Sequence, residues 1–188
     1  MFKLILRILN PVVFFFMVVA GVAVQTSLFA LYPLNYLQPD IILLAVIWCA
    51  LRRNFIEGGI LTLVFANVAE IHTSAPQGLF LCCYMAVYLG LRAASRFFII
   101  PSISSLIIAT LCSSILWKFS YVTVLHLLGA GAQQWRHMLM FLFPGAVMEG
   151  ILGVWVFKAM ERFDWITFKN EKARQMLEDE LQLDGEGL

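Results

Sequence analysis

The sequence predicts an all-α integral membrane protein, a bundle of six transmembrane helices, on three observations. Of its 188 residues 61% are hydrophobic and only 13% charged, too apolar a balance for a soluble domain of this length. Apolar segments recur near 11–31, 37–52, 55–70, 75–95, 98–125 and 138–160, against roughly 20 residues needed to cross a hydrocarbon core of about 30 Å. Lys and Arg also gather on one side when these segments alternate across a bilayer.

The first segment, Pro11 to Leu31, follows Lys3 and Arg7 as the core of a signal peptide would. It is longer than the roughly 7 to 15 apolar residues of such a core, so it reads as a retained span. The second and third segments are short and meet at "LRRN". Fusing them into one helix would leave Arg52 and Arg53 in hydrocarbon at about 2.5–3.5 kcal/mol each. A tight helical hairpin avoids that cost.

Between the third and fourth segments lies "EIHTSAPQG", Glu70 to Gly78. Ser74 and Gln77 have capping-box spacing, which predicts that Ser74 caps helix four with Pro76 in its first turn. Glu70 falls near the C-terminal, negative end of helix three and therefore needs a local donor. Helix five carries Lys118. Helix six contains "PGAVMEGILG", in which Gly145, Glu149 and Gly153 share a face with Ala146 and Gly150 beside it. Small residues at this spacing allow close helix approach, and an acid among them turns toward protein rather than lipid. Lys118 is the nearest candidate for a buried ion pair with Glu149, although counting rise per residue leaves the two one to two turns apart in depth.

The transmembrane domain is predicted over 1–162 and a cytoplasmic segment over 163–188. Phe163, Trp165, Ile166 and Phe168 suit the membrane surface, and a charged tail follows. In that tail Ala173, Leu177 and Leu181 recur every four residues as a narrow apolar stripe for a cytoplasmic contact.

With the N-terminus inside, the inner side collects Lys3, Arg7, Arg52, Arg53, Arg92, Arg96, Lys158, Arg162, Lys169, Lys172 and Arg174. Arg136 falls outside and Lys118 within a span. This asymmetry predicts a multi-pass protein of the bacterial cytoplasmic membrane with both termini cytoplasmic.

Cys49, Cys82, Cys83 and Cys112 sit in apolar runs without ligand spacing, which points to neither disulfides nor metal. His72, His126 and His137 map to the outer ends of helices, and no metal-ligand motif joins them to each other or to Glu70. There is no H-E-x-x-H, no G-x-S-x-G and no phosphate-binding loop, so neither an enzyme nor a cofactor is expected. Nothing favours nucleic-acid binding. The candidate packing or partner-contact residues are Gly58, Gly59, Glu70, Gly145, Ala146, Glu149, Gly150 and Gly153.

The stretch "LQPDIILLAVIWCALRRNFIEGGILTLVFANVAEIHTSAPQGLFLCCYMAVYLGL" resembles MreD, the rod-shape-determining membrane protein family of bacteria. Pro39 and Asp40 open the short second helix, Arg52 and Arg53 mark the turn, and Gly58, Gly59, Glu70, Ser74 and Gly78 follow as in that family. Glu70 stands where an Asp is usual, and "HTSAP" where Ser-Gly is common. The resemblance implies a six-helix bundle similar to the substrate-binding subunits of energy-coupling-factor vitamin transporters, serving as a scaffold. It also implies association with an MreC-like membrane protein and, through it, with MreB, RodA and a transpeptidase, with a homodimer as a further option. The alternative is a vitamin-binding transporter subunit, whose A-x-x-x-A pattern on the first helix is absent here, since Val24 follows Ala20.

Overall fold

The computed structural model describes residues 2–29, 38–71, 73, 75–95, 103–129 and 134–167, excluding the side chains of 2–8, 103–105 and 134–144. Among these residues it holds six helices and no strand: α1 (Phe2–Leu28), α2 (Ile41–Arg52), α3 (Phe55–Ile71), α4 (Leu79–Ala94), α5 (Ile103–Leu127) and α6 (Gln134–Ile166). The predicted stripe at Ala173, Leu177 and Leu181 lies outside the described residues, as do His72 and Ser74.

α2 is the axis of the bundle. It is only 12 residues long, and Ile42 through Ala50 are buried without interruption. A helix that is apolar on every side needs neighbours all round, and α2 packs against each of the other five. At about 1.5 Å per residue it rises roughly 18 Å, much less than a bilayer core. Its N-terminus is capped by Asp40, whose carboxylate accepts from Leu43 N at 2.9 Å. At its other end Arg92 Nη1 donates to the Ala50 carbonyl at 3.0 Å, occupying one of the oxygens a helix end leaves unpaired.

The chain then reverses within Arg53 and Asn54, so the hairpin expected at "LRRN" is present. Closure requires Gly58: a Cβ there would lie 2.9 Å from the Cys49 carbonyl oxygen and 2.9 Å from Tyr88 Oη. Tyr88 also donates to the Phe55 carbonyl at 2.6 Å, tying α4 to the start of α3.

The predicted cap of the fourth helix is corrected. α4 begins at Leu79 behind Gly78, whose φ of 86° is a left-handed conformation suited to glycine. Pro76 lies in the preceding turn, outside the helix. Glu70 does the capping from α3, accepting from Leu81 N at 3.1 Å. Its carboxylate thereby moves from the negative end of its own helix to the positive end of the next.

Two helices, over Leu9–Leu28 and Leu106–Leu127, are long and apolar enough to cross a membrane. Large apolar side chains face outward all round the bundle, among them Phe16, Ile56, Ile71, Phe119 and Trp155. Asn10, Arg53, Thr62, Ser113, Glu149 and Asp164 are buried within it.

Candidate functional site

Among the described residues the charged groups within the bundle gather at the two ends of α2, while buried Thr62, Thr110 and Ser113 bond to carbonyls of their own helices. At one end the group gathers around Asp164. Arg53 Nη2 donates to Oδ1 at 2.5 Å, Asn10 Nδ2 to the same oxygen at 3.1 Å, and Trp48 Nε1 to Oδ2 at 3.1 Å. Asn10 Nδ2 also reaches Thr167 Oγ1 at 2.5 Å. Arg53 is 3% exposed, and its guanidinium lies 5.3 Å from the centre of the Phe14 ring and 3.6 Å from Glu57. A buried carboxylate with three donors from α1, α2 and the α2–α3 turn is a joint between chain segments.

Asp164 was not among the sequence candidates, because 163–188 was expected to be an interfacial segment outside the bundle. α6 instead runs unbroken through Ile166, with Asp164 and Thr167 buried. The signal was there: the inward face at Ala146, Glu149 and Gly153 continues at helical spacing through Phe157, Met160 and Asp164.

At the opposite end of α2 lies a cavity of about 530 Å³, within the usual range for small-molecule sites. Its walls bring together Asp40 from before α2, Phe80 and Tyr84 from α4, Trp117 and Lys118 from α5, and Glu149 from α6. Gln38 and Thr73, both exposed, stand at its rim. Tyr84 Oη donates to Asp40 Oδ2 at 2.6 Å. The Trp117 ring stacks on Tyr121 with centroids 5.4 Å apart and meets Tyr84 at 5.8 Å. The cavity thus gathers aromatic rings and charged side chains.

Lys118 and Glu149 share this cavity despite the depth difference expected from their positions. The long lysine stem spans it, putting Nζ 3.0 Å from where a Cβ on Gly145 would be, one turn before Glu149. Lys118 is attracted to both Glu149 and Asp40. Glu149 is 4% exposed, and its Oε2 lacks a hydrogen bond of normal geometry.

The remaining sequence candidates sit inside the chain's own packing. Gly150 faces Ile107 and Leu111 of α5, while Gly153 is closed by Leu44 of α2 and Thr110 of α5. Gly58 and Ala146 are buried and Gly59 half-buried. Among the described residues no three His, Cys, Asp or Glu side chains group as a metal site, and the four cysteines are free. Neither Asp40 as a cap nor the Tyr84–Trp117 wall was read from sequence. No protein-family model, curated protein or solved structure matches the chain.

Proposed function

We propose that this chain is a non-catalytic membrane scaffold of the bacterial cell elongation complex, needed for rod shape and for peptidoglycan synthesis along the cell side. In this reading the six-helix bundle as a whole spans the cytoplasmic membrane with both termini cytoplasmic, and α2, too short to cross the core by itself, is enclosed by the other helices. The Arg53 end of the bundle faces the cytoplasm and the Asp40 end faces outward.

The observation that carries the proposal is the α2–α3 hairpin. Its short buried helix, paired arginines at the turn and glycine-closed crossing have the form expected from the resemblance to MreD. Membrane residence draws support from the outward apolar belt around buried polar groups, since lipid makes no demand for a polar exterior. Arg52, Arg53, Arg92 and Arg162 lie toward one end, the arrangement expected for a cytoplasmic face.

Because the glycine faces of α6 are taken up within the bundle, a partner helix is assigned to an outward row. Ile56, Ile60 and Leu63 of α3 form such a row, all exposed and spaced at helical intervals. In lipid the association depends on close van der Waals fit, and the proposed occupant is the single transmembrane helix of an MreC-like protein. Depletion in a rod-shaped host tests the function: rounded cells, with wall precursors still made, are expected. Cells that stay rod-shaped but lose uptake of one vitamin would favour the transporter-subunit reading.

A further inference from the structure

Independently of the scaffold role, we infer that the cavity at the Asp40 end is a binding site for an organic ammonium ion whose neighbouring atoms include a hydrogen-bond acceptor. Among the described residues the ionisable groups on its wall are the Asp40 and Glu149 carboxyls, the Lys118 amine and the Tyr84 phenol. Both Asp40 oxygens are engaged, one by Leu43 N and one by Tyr84 Oη, whereas Glu149 has the buried Ser114 hydroxyl beside it and its Oε2 lacks a hydrogen bond of normal geometry.

Leaving a carboxylate oxygen unpaired in a buried site is costly, and a charged N–H donor is the partner that best offsets the cost. The rings of Phe80, Tyr84 and Trp117 also line the cavity, and aromatic rings attract ammonium groups and cover an apolar ligand body. Trp117 Nε1 is also buried without a hydrogen-bond partner, so it calls for an acceptor on the same ligand. A free amine and the ammonium headgroup of phosphatidylethanolamine both have this chemistry.

The test uses the purified full chain with two probes: tyramine, and para-ethylphenol, which keeps the ring and hydroxyl but lacks the ammonium. Thermal unfolding is followed with each, and separately in nanodiscs of phosphatidylethanolamine or phosphatidylglycerol. Stabilisation by tyramine but not para-ethylphenol assigns a free amine. Stabilisation by phosphatidylethanolamine alone assigns the lipid headgroup. In either case Glu149→Gln should weaken binding about tenfold, the worth of one charge-assisted hydrogen bond. Trp117→Leu should weaken it as well while leaving Glu149 in place. Equal responses to both probes and both lipids, or binding unchanged in both variants, would overturn the inference, and neither result would bear on cell shape.

Discussion

Arg53 and Asp164 stand 111 residues apart in sequence and meet at 2.5 Å inside the bundle, where the guanidinium donates to a carboxylate that also holds Asn10 and Trp48. The contact joins the turn of the α2–α3 hairpin to the last turn of α6. It follows that the hairpin and the end of α6 are held as one unit.

Asp164→Ala should therefore lower stability by about 3 kcal/mol, because it removes the carboxylate that accepts from Arg53, Asn10 and Trp48 and leaves the buried guanidinium only the longer contact with Glu57. Replacing both members, as in Arg53→Met with Asp164→Leu, should recover much of that loss. Chemical unfolding of the purified variants in detergent measures both effects. A double variant no more stable than Asp164→Ala would show that the network, not the unpaired charge, sets the cost.

Glu70 caps a helix other than its own, so its removal should be felt in α4. Glu70→Ala is expected to cost about 1 kcal/mol, the usual worth of a cap, and Glu70→Gln less because an amide oxygen still accepts. Hydrogen exchange should speed up at Leu81 and its neighbours before it changes in α3.

Gly58 and Gly59 are adjacent but not equivalent. Gly58→Ala should prevent normal closure of the hairpin, since the new methyl meets the Cys49 backbone at 2.9 Å, whereas Gly59→Ala meets only the Tyr88 ring at 3.7 Å. The expected result is a poorly recovered Gly58 variant and a Gly59 variant near wild type, compared by size-exclusion chromatography.

The outward row of α3 gives a contrast to these packing positions. Ile60→Trp should leave the unfolding midpoint of the isolated chain unchanged while reducing recovery of the MreC-like partner severalfold, because a bulkier side chain spoils the helix fit. Normal recovery would move the partner to another face.

The proposed orientation rests on the hairpin and the basic end together. A phosphatase fused after Asn54 should be inactive and one fused after Gln77 active, with a fluorescent reporter giving the opposite pattern. The reverse outcome would invert the bundle.

The hairpin was legible because its cause is local: two arginines cannot sit cheaply in hydrocarbon, so the chain must turn near them. The inward face of α6 was legible for a similar reason, as helical spacing alone puts Gly145, Glu149 and Gly153 on one side. Capping of α4 was not, because local spacing favoured Ser74 whereas the donor at Leu81 is taken by a residue 11 positions earlier in the chain. Asp164 was harder to read because Phe163, Trp165, Ile166 and Phe168 around it suit a membrane surface, although its spacing from Phe157 and Met160 continues the inward face of α6. The cavity is lined from all six helices, and no single stretch of sequence contains it.

The most direct test of the scaffold reading is quantitative capture of the tagged full-length chain from the membranes of its own rod-shaped cells, with bound protein and bound small molecules measured in the same eluate. An MreC-like single-span protein is expected in near-equal amount, reduced in the Ile60→Trp variant. An eluate without that protein but with a vitamin and an energy-coupling subunit would contradict the scaffold reading.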